Sequence, residues 1–555
     1  MHVLSLLASL LACGTPEKAD TAAAVADSSA DTADSGTAPG PDALCNEAGL
    51  TYRAFDVGAS GNDFDLPAGD FTVQTLDGPW NLAANWSGCD VYVFILVDAS
   101  VVDTAQLLDA RAAEIRDFLE RSPTNVHYFW LNYGRGAEAE ARAAAIRDAL
   151  EPKIDRLDAG EANWWKSRFH YVTEGARGGG DWIGDLVRAY ESNNFQLWGF
   201  AIDRFQRVRE AGYWPDPGTG WETVPARSIA WDAVYLNFES DRQDQLDAEG
   251  ADVVRVLDAQ LVQDSGWSGA SASVDVALPD AATMASYDSL SIDLTLACTG
   301  HPDLQDCPAW DYLVYAYSCE PVDGAENCVE MGRFITTYWR PGRWVVDASA
   351  FLPELKDGGT RRFKFYTTQP YVVTMDLRFS NAGKGAAPVE REPLWTGGAW
   401  DENYNAAHAP ITFTPPAGTR KVELVAITSG HGFGADTENC AEFCNHQHRY
   451  SLNGQSWMQE FPMVGDDLGC AEQVAIGTVP NQAGTWPYGR GGWCPGKEVP
   501  PWTVDITAAV DLTGENTLTY EGLFEGAPFV PDYDVPNSTG FRGRIDLASY
   551  LVYSR

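Results

Sequence analysis

The sequence predicts a multidomain chain in which an α/β domain is followed by a pair of antiparallel β-sandwiches. Three observations carry this reading. Between about residues 50 and 262 apolar strands alternate with amphipathic helical segments, the order expected of a mostly parallel sheet covered by helices. After about residue 266 the helical period disappears, and short alternating runs follow one another between Gly, Pro, Asn and Asp. The length of 555 residues divides into three or four domains, and the 45% hydrophobic and 12% aromatic content is ample for their cores. Asp and Glu total 79 against 38 Lys and Arg, a net charge of -41, which speaks against nucleic acid as a partner.

The chain opens on a short apolar run, Met1 to Ala12, that ends in Leu10-Leu11-Ala12-Cys13. It resembles the lipobox of bacterial lipoprotein signal peptides. Residues 1–12 are therefore expected to be a signal peptide and Cys13 the acylated residue, with an ordinary secretory signal as the alternative. The expected location is outside the cytoplasm, lipid-anchored to the bacterial envelope (the outer membrane first) or secreted. No other uncharged apolar run reaches 18 residues, so no spanning helix is expected. Residues 13–49 are mostly Ala, Asp, Thr, Ser, Gly and Pro and read as an acidic disordered linker.

In the α/β domain, Val91 to Val97 reads as a buried strand, and Leu108, Ala112, Ile115 and Leu119 repeat at helical spacing after it. Asn125 to Leu131 is a second strand and Ala137 to Leu150 a second helix. Asp70 to Gly78 and Gly199 to Asp203 resemble the corresponding pieces of thioredoxin-like folds. The thiol chemistry of that fold needs a low-pKa cysteine, usually with a resolving Cys two residues on. Here Cys89 has no second Cys beside it, and Asp90 would raise its pKa, so a disulfide with Cys45 is expected instead. Gly178-Gly-Gly-Asp181 lacks the Lys and Ser/Thr of a phosphate loop and reads as structural. The domain as a whole reads as an accessory or docking module.

The all-β part contains SASVDVALP, SLSIDLTLAC, DYLVYAYSC, GRFITTYW, RRFKFYTT, VVTMDLRFS, KVELVAIT, HRYSLNG and LASYLVYS, with a Gly- and Pro-rich divide near residues 382 to 410. Two sandwiches, 266–400 and 401–555, fit that spacing. Four motifs stand out: Cys307-Pro-Ala-Trp-Asp311, Gly332-Arg-Phe-Ile-Thr-Thr-Tyr-Trp339, Cys440-Ala-Glu-Phe-Cys444 and Gly491-Gly-Trp-Cys-Pro-Gly496. In order and separation they resemble the peptide-N-glycosidase F family. The resemblance implies two jelly rolls side by side and disulfides Cys298–Cys307, Cys440–Cys444 and Cys470–Cys494. Cys319 and Cys328 flank the turn of a predicted hairpin and can pair across it. With Cys45–Cys89, that leaves Cys13, of eleven cysteines, for the lipid.

The family hydrolyses the amide between an asparagine side chain and the first N-acetylglucosamine of N-linked glycopeptides, which become the expected partner. Hydrolysis of an unactivated amide needs an activated water, an oxyanion stabiliser and proton delivery to the leaving nitrogen. The resemblance places the principal catalytic Asp at Asp311 and one of two essential Glu at Glu442. Arg490 falls on a family substrate-contacting arginine. Tyr338, Trp339 and Trp493 are aromatic candidates for the substrate surface, with packing as the competing role of the two tryptophans. The third family carboxylate falls on Thr368, which implies an altered or impaired site. Tyr312 and His431 also replace family residues.

No cofactor is expected for the amidase. A rival reading is a copper-dependent monooxygenase-type oxidoreductase on the same pair of jelly rolls. His446 and His448 share a strand face and could chelate copper, with His431 or Met458 completing the set. A third reading, a glycan-binding surface lipoprotein without catalysis, rests on the missing carboxylate.

Overall fold

A computed structural model describes residues 45–97, 108–177, 182–190, 198–213, 225–264, 269–300, 307–322, 325–535 and 539–555. The expected signal segment with Cys13, most of the acidic linker and the Gly178 to Asp181 turn lie outside the described residues.

The α/β unit is built on one seven-stranded sheet, ordered Gly78–Asn81, Thr72–Thr75, Phe169–Gly175, Val126–Asn132, Val91–Leu96, Gly199–Ile202, Val208–Glu210. The three middle strands are parallel, and an antiparallel pair flanks them on each side. Every residue of Val91–Leu96 is buried, because apolar side chains pack on both faces of the sheet. The two expected helices form as Ala112–Arg121 and Ala137–Ile154, and Cys45 is bonded to Cys89.

Two antiparallel sandwiches follow. The first packs a sheet of Gly342–Asp347, Ser289–Ala297, Tyr371–Ser380 and Asp252–Val262 against one of Lys497–Glu498, Ala325–Ile335, Leu313–Val322, Gly358–Thr367 and Ala270–Asp280. The second packs Pro388–Ala399, Phe541–Ser554, Lys421–Phe433 and Trp502–Asp505 against Ile411–Phe413, Asn516–Phe524, His446–Leu452 and Gln455–Gln459. Strict alternation sets the inner faces: Tyr371, Val373, Met375, Leu377 and Phe379 all point into the first core. All four expected sandwich disulfides are formed.

Two expected boundaries move. Asp252–Val262, placed in the α/β domain by its sequence, pairs with Tyr371–Ser380, so the first sandwich begins near residue 252 and not 266. Its buried pair Val256 and Leu257 sits at an irregularity in register, which breaks the period of two and hides the strand. Pro388–Ala399 pairs with Phe541–Ser554, so it is an edge of the second sandwich and not the end of the first. Its pairing shifts register three times, which again disguises the pattern.

The α/β unit and the first sandwich pack against each other. Trp231 and Tyr235 of the helix Pro225–Ala248 belong to the same continuous core as the first sandwich. The two sandwiches are tied by Arg333, buried at 2% exposure, which pairs with Glu330 and donates to Ser429 Oγ (2.8 Å) and the Asp546 carbonyl (2.7 Å). A buried guanidinium persists only with partners of this kind.

Candidate active site

Asp311 follows the Cys298–Cys307 bridge and leads into the strand Leu313–Val322. Its backbone is fixed on both sides by one hydroxyl: Thr336 Oγ1 donates to the Trp310 carbonyl (2.7 Å) and accepts the Tyr312 N–H (2.8 Å). Glu442 lies on a single helical turn, Cys440–Phe443, entered through Asn439 in the left-handed region (φ 53°) and closed by Cys440–Cys444. Its Oε2 accepts the Gly432 N–H (3.1 Å), and its backbone carbonyl accepts the Gly491 N–H (2.6 Å). A Cβ at Gly430 or Gly491 would overlap the Ala441 carbonyl oxygen, so both motifs require glycine for the backbone to approach this turn.

Arg490 joins the two carboxylates. Its Nη2 is 3.4 Å from Asp311 Oδ2 and its Nε is 3.5 Å from Glu442 Oε1. The guanidinium is oriented by donation to the carbonyls of Thr485 (3.1 Å) and Tyr488 (2.8 Å), to Thr485 Oγ1 (2.8 Å) and to Tyr338 Oη (3.3 Å). It is only 2% exposed, against 16% for Asp311 and 11% for Glu442. Arg490 is therefore a buried charge held against both carboxylates.

Burial pushes the Glu442 carboxyl up to about 7; Arg490 opposes the shift and Asp311 adds to it. Burial also raises Asp311, against Arg490 and a hydrogen bond from Tyr338. Burial and the neighbouring Asp311 keep the Tyr338 hydroxyl protonated, so it donates to the carboxylate. Both carboxyls are thus raised, Glu442 to about 7, so that Glu442 holds its proton over the acidic range while Arg490 favours the charged form of each, an arrangement from which acid and base roles can be divided.

The remaining expected residues are placed as follows. Tyr338 is buried and touches Asp311 and Arg490. Trp339 is 43% exposed at φ 59°, its N–H donating to the Pro308 carbonyl (3.0 Å). Trp493 is buried under the Arg490 guanidinium, 4.9 Å from its ring centre, and donates to the Gly430 carbonyl (2.7 Å). It packs in the interior beside Arg490. Thr368 follows the strand Gly358–Thr367, with its Oγ1 buried and, among the described residues, without a hydrogen-bond partner. Sequence reasoning did not single out Trp310, 58% exposed beside Asp311, or Thr485, which orients Arg490. Position next to the acid was a usable signal for the first; the second had none.

The histidines do not form a chelate. His446 Nδ1 and His448 Nε2 bond to each other (2.8 Å), and His448 Nδ1 bonds to Tyr520 Oη (2.6 Å). His431 bonds to Ser429 Oγ and stacks on Trp493. Burial lowers His431 and His446 to about 3, and both stay neutral. Met458 is 38% exposed while His448 is fully buried. Among the described residues, no group of three ligand side chains within metal-binding reach includes a histidine. The donor set does not fit copper.

The family model described as "Peptide-N-glycosidase F, C terminal" matches residues 400–552. The amidase F of Elizabethkingia miricola, peptide-N(4)-(N-acetyl-beta-D-glucosaminyl)asparagine amidase F, is 28% identical over 238 residues, covering 40% of this chain. The chain spans 64% of the length of that curated relative. Among solved structures, a peptide-N(4)-(N-acetyl-beta-D-glucosaminyl) asparagine amidase is 19% identical with a TM-score of 0.44, covering 55% of this chain and 96% of that one. PNGF-II is 13% identical with a TM-score of 0.40, covering 58% and 67%. On the family model and the curated relative, the C-terminal half of the chain is similar to the peptide-N-glycosidase F family.

Proposed function

We propose that the chain is a peptide-N-glycosidase F-like amidase acting on N-linked glycopeptides outside the cytoplasm, tethered by lipid at Cys13 and needing no cofactor. The observation that carries this reading is Arg490 beneath both Asp311 and Glu442. Asp311, as carboxylate, accepts a proton from the attacking water. The water oxygen adds to the side-chain amide carbon, the C–N bond breaks, and a proton passes to the departing glycosylamine nitrogen, leaving an aspartate. Glu442, protonated up to about pH 7, assists by hydrogen bonding to the reacting amide. Trp310 and Trp339 provide the exposed aromatic surface beside the acid. Thr368, in place of a third carboxylate, lowers the expected rate. The two sandwiches are read as jelly rolls and the α/β unit as thioredoxin-like without its thiol chemistry, since Cys89 is bonded to Cys45.

The test is incubation of the purified protein with a denatured N-glycoprotein from about pH 5 to pH 9, followed by mass spectrometry of glycan and peptide. Wild type should release glycan and convert the linked asparagine to aspartate, and Asp311→Asn should lower the rate by about 10³-fold or more. No release at any pH removes the amidase reading and leaves the non-catalytic glycan-binding one.

A further inference from the structure

The loop from Thr478 to Gly496 carries Arg490 and leans on two bodies at once. On one side it holds the site. Gln482 Oε1 accepts the Tyr338 N–H (2.8 Å), Thr485 Oγ1 lies 3.2 Å from Tyr338 Oη, and Thr485 and Tyr488 orient Arg490. On the other side it is held by the α/β unit. Asn481, next to Gln482, has φ 51°, is fully buried, and donates from Nδ2 to Asp232 Oδ2 (2.7 Å) and to the Ser228 carbonyl (2.8 Å). The Asn481 carbonyl accepts the Tyr213 N–H (2.6 Å). Trp486, in the same loop, meets Trp231 edge to face with ring centres 5.2 Å apart. The segment carrying Tyr338 and Trp339 is gripped as well: Arg340 donates to the carbonyls of Pro480 and Glu210 and pairs with the Glu210 carboxylate.

These contacts form a short chain with no free link. Asp232 fixes Asn481, the adjacent Gln482 fixes the backbone at Tyr338, and Tyr338 reaches Asp311 and Arg490. Asn481 and Asp232 are both buried, so losing their bond cannot be made good by water at no cost. A buried left-handed asparagine whose side chain reaches another folded unit is retained for that reach, because glycine would satisfy the backbone alone.

We propose that the α/β unit is a structural part of the active site, with Asn481 and Asp232 as positioning residues that act through Gln482 and Tyr338 on Asp311 and Arg490. This rests on the amidase reading for its catalytic consequence, while the clamp itself does not. The groups that face Glu442 and set its titration are Arg490 and Asp311, so a displaced loop moves the pH profile as well as the rate.

The experiment compares the full chain with Asn481→Gly, which keeps the left-handed backbone and removes only the bridge, and with Asp232→Asn, which keeps an acceptor. Amide hydrogen exchange of residues 478–492 reads the clamp without any activity. Asn481→Gly should exchange at least about tenfold faster there, with Asp232→Asn close to wild type. In the glycan-release assay, Asn481→Gly should lower kcat about tenfold, leave KM within about twofold and shift the limb near neutral pH, with Asp232→Asn again close to wild type. If Asn481→Gly keeps both the exchange protection and the wild-type pH profile, the proposal is overturned. If wild type releases no glycan, the amidase reading falls and the exchange comparison still decides the clamp.

Discussion

At Glu442 a single carboxyl records how the site is balanced. Removing it from water favours its neutral form, Asp311 pushes the same way, and Arg490 pulls back, which leaves it titrating at about 7. Its neutral form is complete below that value and lost as pH rises through it. A step that uses Glu442 as a hydrogen-bond donor should therefore lose rate on the alkaline side. Because Asp311 and Glu442 share Arg490, the limb belongs to the pair. Glu442→Gln keeps a donor and cannot titrate, so its rate profile should be flat through neutral pH, though lower by about 10- to 100-fold. Stability carries the same sign. The folded chain binds more protons than the unfolded one between the ordinary Glu range and about 7, so stability falls as pH rises across that window. Melting curves of Glu442→Gln should show a shallower fall; an equally steep one would place the shift elsewhere.

The turn that carries Glu442 is one helical turn long, too short to hold its own geometry, and a disulfide spanning four positions closes it. So short a loop adds only about 2 kcal/mol of chain-entropy stabilisation. Cys440→Ala with Cys444→Ala should accordingly lower the melting temperature little and glycan release by tenfold or more, measured on the same preparation. A large loss of fold with no specific loss of rate would mean that the bridge serves the sandwich and not the site. This element was legible in the sequence because cysteines, glycines and an acid sit at fixed spacing. Asp252–Val262 and Pro388–Ala399 were not, since register shifts erase the alternation that marks a strand. Arg490 was visible as a residue but not as a buried one, whereas packing is the stronger sequence reading of Trp493, which is buried. Their facing depends on Thr485, Tyr488 and Gly430, contacts that local patterning does not encode.

For the molecule as a whole, the cations are partly spent inside. Arg204, Arg333, Arg340 and Arg490 are all buried and each neutralises a carboxylate, so these cations leave the surface together with their counter-charges and the net -41 stays with the rest of the chain. Two of these side chains cross between units: Arg333 ties sandwich to sandwich through the Ser429 hydroxyl and the Asp546 carbonyl, and Arg340 ties the first sandwich to the α/β unit at Glu210. Trp231 and Trp486 bring apolar surface to the same junction, and the first core continues through it. Units that share a core cannot open separately without exposing it, in contrast to domains joined by a linker. Calorimetry of the full chain should therefore show one cooperative transition for the α/β unit and the first sandwich together. Trp231→Ala removes a side chain only 7% exposed and should cost about 3–5 kcal/mol, with the signals of both units moving to lower temperature in step. If the variant instead splits the trace into two peaks, with the sandwich peak unmoved, the shared core contributes little, and the α/β unit returns to the status of an attached module.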